Sequence, residues 1–425
     1  MEGPRGPRGA APGRDGSLQS PPVAQRRRTR AAVLLGAVLL AACSSDDGEP
    51  QAATTTTVEE TPGYQAVVEA LTADDLQGRD NLTPGSVMAQ DLLIEELGDI
   101  AQPLAEGATG PDAYRYDFPE GTNVLGLIPG GDRADEFVIL GAHYDHLGTD
   151  CPSVAAGDDV CNGAGDNAAG VAAVLEVGRA LAADDEPPSR SVILAFWDAE
   201  EDGLLGSAAY VADPEVPLEQ TIAYLNWDIQ GTDLTPSVAD VTVMVGAETG
   251  GPELVEAAQA ATEASSLQTL SLSLLFGQGR SDHATFAAAG VPTVFFTDAN
   301  AGCYHTAQDD VDVVDFDKLG QQVLMAEALT RDLASTDAVP SFVPDTPAAT
   351  YEDAESMLEV VRQGQGDFDL LPGYEDDGQQ LLADLQAMVD AGPEAFDDAA
   401  VGTLLGGSAG LVEALASSEC APVGD

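Results

Sequence analysis

The stretch Ser191–Ser207, reading SVILAFWDAEEDGLLGS, constrains this chain more than any other. It opens as an unbroken apolar run, Val192 to Trp197, the pattern of a strand buried on both faces. The run then breaks into two adjacent carboxylates, Glu200 and Glu201, followed by a glycine-containing turn and a helical segment. Open α/β sheets place their active crevice at the C-terminal ends of such strands. Two neighbouring acids there can divide the labour, one holding a metal and the other moving protons. Standing alone, the pair would read as a solvated acidic loop. It does not stand alone.

Around it, strand patterns alternate with helix patterns. Strands are expected at 123–127, 136–141, 191–197, 221–229, 241–245, 270–276 and 292–297. Helices are expected within 64–100, broken by the turn GRDNLTPGS, and at 167–183, 252–265, 283–289 and 316–333. The fold class is therefore α/β, a mostly parallel mixed sheet sandwiched by helices, over a domain at 64–338. A Pro/Thr/Ala linker at 339–350 leads to an acidic, helix-patterned C-terminal extension at 351–425 with no catalytic constellation.

Charge narrows the partners. The chain has 16 Lys+Arg against 73 Asp+Glu, and Lys318 is its one lysine. Such a surface repels nucleic acid and anionic headgroups, so no nucleic-acid partner is expected. The N-terminus runs through basic Arg26–Arg30 into an apolar stretch, 31–42, too short to span a bilayer. It closes in Leu40-Ala41-Ala42-Cys43, which resembles a bacterial lipobox. Residues 1–42 thus read as a lipoprotein signal peptide, Cys43 as the lipidation site and 43–63 as a flexible tether. The expected location is the outer face of a bacterial cell membrane, anchored by lipid at Cys43, with simple secretion as the alternative. Export permits disulfides. Cys151 and Cys161 flank one short loop and are the favoured pair, and Cys303 with Cys420 would tie the C-terminus to the core. The sequence leaves that connectivity open.

Four histidines sit at strand ends or in loops. His143 lies in GAHYDHLG after the strand 137–140, and Asp166 lies in GAGDNAAG at a helix start. Asp228 ends the strand in YLNWDIQG, His283 lies in GRSDHATF, and His305 in CYHT. With Glu201, two histidines and three carboxylates are available at neighbouring strand ends. That mix suits two zinc ions sharing one bridging carboxylate. His146 and His283 read as supporting or structural residues.

These stretches resemble the secreted di-zinc aminopeptidases of metallopeptidase family twenty-eight, from about Leu71 to Leu333. The motifs are LTADDLQGRDNLTPGS, NVLGLIPG with VILGAHYDHLG, NGAGDNAAG, FWDAEEDGLLGS, NWDIQG with GRSDHATFAAAGVP, and YHTAQDD. The resemblance implies a phosphorylase/hydrolase-like zinc-peptidase fold and two Zn2+ per chain. It places His143 and Asp228 on one zinc, Glu201 and His305 on the other, and Asp166 between them. It makes Glu200 the general base, Asp145 the carboxylate orienting His143, Tyr304 an oxyanion donor and Arg280 a residue reaching the site. The implied protein is a monomer that hydrolyses N-terminal residues from peptides. The same family holds carboxypeptidases, glutaminyl cyclases and non-catalytic binding relatives. Two positions depart from its pattern: Gly165 precedes the bridging carboxylate, and Gln308 stands where some members carry a second cysteine.

Overall fold

In the computed structural model, the apolar runs become nine strands of one mixed sheet among the described residues. Those residues are 63–105, 107–149, 151, 158–299, 302–420 and 423. The expected signal peptide, Cys43 and the tether up to residue 62 lie outside them. The strands are β1 (Gln102–Pro103), β2 (Arg115–Phe118), β3 (Gly121–Ile128), β4 (Arg133–His143) and β5 (Arg190–Trp197), then β6 (Thr221–Trp227), β7 (Val241–Val245), β8 (Gln268–Leu272) and β9 (Thr293–Thr297). Their order is β1-β3-β5-β4-β6-β9-β7-β8, with β2 hairpinned onto β3. The centre, β5-β4-β6-β9, is parallel, as is β7 on β8. Antiparallel pairs join β3 to β5 and β7 to β9.

Period-two alternation sends each central strand's side chains to two cores. Val138, Leu140, Val192, Leu194 and Phe196 face one core, which helices α1 (Gly63–Leu71), α2 (Pro84–Ile100), α3 (Ala169–Ala182), α5 (Gly251–Thr262) and α7 (Phe316–Ser335) cover. Phe137, Ile139, Ile193 and Trp197 face the other, beneath α4 (Leu205–Ala212) and α6 (His283–Ala288). The C-terminal helices, α8 (Tyr351–Gly364), α9 (Glu375–Ala391) and α10 (Asp398–Ala416), form a further apolar cluster with Phe276 against Leu270 and Leu272 of β8.

Two expected elements come out differently, and β2 is an addition. The strand at 270–276 stops at Leu272, because Asp353 accepts both the amide and the hydroxyl of Ser273, at 2.8 and 2.7 Å, and turns the chain. The helix expected from Asn167 begins regular winding at Ala169, since Asp166 and Asn167 hold non-helical backbone angles. β2 had no pattern to announce it: RYDF is half-exposed, and its strand conformation comes from pairing with β3.

His283, the first residue of α6, is a core residue. Its ring stacks on Phe295 at 4.3 Å with 9° between planes. Burial pushes the imidazole down from 6.5 to about 3, so the folded ring is neutral at pH 5. The unfolded chain takes up a proton there instead, so stability falls as pH drops from the unfolded value toward the folded one. Urea unfolding at pH 7.5 and 5.0 should show His283→Gln losing about 2 kcal/mol less than the wild type across that interval. Equal losses would mean that this imidazole contributes nothing to acid sensitivity.

Candidate metal centre

The switch in strand order assembles the site. β4 lies between β5 and β6, and all three run parallel. Their C-terminal ends therefore open side by side into one crevice. His143 is the last residue of β4, Glu200 and Glu201 follow the end of β5 at Trp197, and Asp228 follows the end of β6 at Trp227. Asp166 arrives from the turn before α3, where the Asp166–Asn167 peptide is cis, and His305 arrives from the loop after β9. Ala199, Ile229 and His305 hold left-handed backbone angles, with φ of 55°, 58° and 57°. Gly163 does too, at 60°, and there a β-carbon would come within 2.6 Å of the His146 ring.

The donor atoms converge. His143 Nε2 lies 3.1 Å from Asp166 Oδ1 and 3.2 Å from Asp228 Oδ1. His305 Nε2 lies 3.3 Å from Asp166 Oδ2 and 3.1 Å from Glu201 Oε2. Asp166 thus presents one oxygen to each histidine. The edge of a tetrahedron with zinc–ligand bonds of 2.0–2.1 Å is about 3.3 Å, so this spacing fits donors sharing an ion. The polar bookkeeping agrees. His143 Nδ1 faces the Asp145 carbonyl at 3.1 Å, which makes Nδ1 the donor and turns Nε2 toward the carboxylate oxygens. His305 Nε2 is buried with hydrogen-bond geometry to neither carboxylate. A cation between these atoms satisfies them all.

Burial opposes charge on every one of these groups. It lowers His143, yet Asp228 and Glu200 push that imidazole well above its usual value. Burial also lowers His305, which Asp166 and Glu201 nonetheless carry up to about 10. The adjacent glutamates separate. Burial raises both, but His146 and His305 pull Glu201 down to about 2. Glu200 stays well above the carboxylate range, because burial and the charges of Asp228 and Asp282 outweigh His143. Paired acids driven apart by their surroundings suit different tasks.

Around the donors, the contacts redistribute some expected roles. Asp145 meets His143 Nδ1 with two groups, its main-chain carbonyl at 3.1 Å and a carboxylate oxygen at 3.6 Å. That carboxylate also accepts the amides of Glu200 and Glu201, at 3.1 and 3.2 Å. His146 is buried with Nδ1 2.6 Å from Glu201 Oε1. Tyr304 stacks on His305 at 3.7 Å and lines the cavity beside His143 and Glu200, and burial raises its phenol, which stays protonated. Arg280 lines the same cavity at its exposed side. Cys151 is bonded to Cys161, and Cys303 to Cys420.

Two residues had no role assigned from the sequence. Arg79 is wholly buried and donates to the carbonyls of Leu71, Tyr144, Asn162 and Gly163, which binds the His143 loop to the Asp166 loop. Asp309 accepts the amides of Gly165 and Asp166, at 2.8 and 3.0 Å. Both stand inside the quoted motifs, in QGRD and TAQDD, and that placement was the available signal.

A mixed sheet with clustered histidines and carboxylates at its central strand ends defines the zinc-peptidase class of α/β folds. Residues 123–329 match Peptidase family M28, which assigns that part of the chain to the family. It is 28% identical over 255 residues to Leucine aminopeptidase 1 of Pyrenophora tritici-repentis, covering 56% of this chain and 62% of that one. It is 32% identical over 282 residues to the probable glutamate carboxypeptidase LAMP1 of Arabidopsis thaliana, covering 59% and 39%. The chain thus spans less than two thirds of either relative. The crystal structure of the Legionella pneumophila LapA aminopeptidase superposes with a TM-score of 0.53 at 18% identity, over 65% of this chain and 71% of that one, a likeness of fold.

Asp309→Ala should release the amides that aim Asp166 and lower zinc affinity about 10- to 100-fold, measured by competition with a chelator. Unchanged affinity would show that Asp166 is held without it.

Proposed function

We propose that this chain is a zinc-dependent exopeptidase that removes residues from the free N-termini of peptides. The observation that carries the reading is the placement of Asp166, one oxygen toward each histidine, with Glu200 lining the same cavity. In this reading His143 and Asp228 would hold one zinc and Glu201 and His305 a second, with Asp166 contributing a carboxylate oxygen to each. Bound zinc supplies Lewis acidity, which eases ionisation of water and polarises a scissile carbonyl. Glu200, facing the same cavity, takes the proton of the attacking water and delivers it to the leaving amine. The Tyr304 hydroxyl donates to the oxygen that becomes negative. The Asp145 carbonyl keeps His143 in the tautomer that leaves Nε2 free, and the Asp145 carboxylate holds the backbone of both glutamates.

The excess of carboxylates in the crevice favours a substrate ammonium, which selects free N-termini. Likeness to a leucine aminopeptidase supports the same assignment. A carboxypeptidase is the second reading, supported by the likeness to a probable glutamate carboxypeptidase and by Arg280, a guanidinium on the cavity wall suited to a carboxylate. The lipobox-like end at Cys43 supports an exported protein held at the outer membrane face by lipid.

Zinc-supplemented protein (residues 44–425) given free and N-acetylated peptides should shorten only the free ones, stepwise from the N-terminus, by mass spectrometry. Loss of C-terminal residues would replace this reading with the carboxypeptidase. Glu200→Gln should reduce turnover about 10²- to 10⁴-fold with zinc content unchanged. Full activity in that variant would remove Glu200 as the base.

A further inference from the structure

The cavity that contains the candidate centre extends well beyond it. At one end stand His143, Asp166, Glu200 and Asp228. Its lining continues over a buried apolar face of the sheet, Val243 and Val245 of β7 beside Phe295 of β9. Its far wall consists of Met357 and Val361 of α8 with Leu411, Val412 and Leu415 of α10. Those two helices lie outside residues 123–329, the part that matches the family.

We propose that the C-terminal helices are a substrate-selecting wall. They close an apolar pocket beside the centre that receives a large apolar side chain, of the leucine, methionine or phenylalanine class, from the substrate's N-terminal residue. This rests on the aminopeptidase reading.

Three observations converge on it. The pocket is continuous with the carboxylates that would hold a substrate's amine and scissile bond, so its occupant belongs to the residue being cleaved. Its chemistry is one-sided. Of the side chains that the C-terminal helices contribute, Ser408 is the single polar one, and the sheet adds Val243, Val245, Leu270, Leu272 and Phe295 with Thr297 as its one polar side chain, while Gln278 and Arg280 come from the loop before α6. A charged or amide side chain packed against the helical wall would forfeit its hydrogen bonds with water.

The wall is also fixed in place. Asp353, in the first turn of α8, clasps Ser273 beside β8. Asp367 accepts the amide and hydroxyl of Ser237, at 2.7 and 2.8 Å. The Cys303–Cys420 bond ties the segment beyond α10 to the loop carrying Tyr304 and His305. A wall anchored on both sides of the cavity can discriminate by size, which a loose flap cannot. One methylene in such a pocket changes kcat/KM about 10-fold or more.

The test compares kcat/KM for the p-nitroanilides of Leu, Phe and Ala, and calorimetric binding of L-leucinol against ethanolamine, in zinc-loaded protein. Val412→Trp fills the pocket, and Leu411→Ala widens it. Val412→Trp should lower the Leu/Ala ratio of kcat/KM at least 10-fold and weaken leucinol without weakening ethanolamine. Leu411→Ala should raise the Phe/Leu ratio. Ratios unchanged in both variants, or parallel losses on Ala and Leu in both, overturn the proposal. If the wild type cleaves none of the anilides yet loses leucinol binding in Val412→Trp, the pocket stands and the aminopeptidase reading falls.

Discussion

The structure is organised around an electrostatic debt. Asp166, Glu200, Glu201 and Asp228 meet in one crevice, none more than lightly exposed, with Asp145 and Asp309 buried directly behind them. Two like charges 4 Å apart repel by about 4 kcal/mol at the effective dielectric of a protein surface, and more deeper inside. A cluster of this kind persists only where positive charge and oriented dipoles meet it. The histidines supply part, the fully buried Arg79 guanidinium a further part, and the geometry between Nε2 atoms and carboxylate oxygens reserves the rest for metal ions. Even the backbone is recruited, since Asp145 and Asp309 each receive two amides.

That need explains the architecture near the site. A parallel centre brings three strand ends together, but strands alone would leave the intervening loops free to relieve the repulsion by spreading. Arg79 prevents it by holding four carbonyls from three segments. Left-handed turns at Ala199, Ile229 and His305 are the local cost of aiming side chains that regular strand geometry would point elsewhere. The C-terminal helices repeat the device at lower charge density, where Asp353 and Asp367 each clasp a serine of the sheet domain.

Much of this was legible in the residues. Fully apolar runs such as Val192–Trp197 announce strands buried on both faces, and polar residues shortly after such runs collect at the crevice, although Asp198, directly after this run, turns to the Thr122 amide of β3 instead. That is why His143, Glu201 and Asp228 stand out in sequence. The unread parts depend on long-range contacts. Asp309 acts on amides more than 140 residues away, and nothing nearby distinguishes it from its neighbour Asp310. The end of β8 is set by Asp353, in a helix eighty residues on. The C-terminal helices showed their apolar faces but not the surface those faces would meet.

The bond between Cys303 and Cys420 couples the candidate centre to its outer wall through one covalent link. The loop that carries Tyr304 and His305 and the segment beyond α10 are held by the same pair of sulfurs, so a displacement at either end is felt at the other. A reductant that opened this bond would loosen a candidate ligand and the far wall of the cavity together.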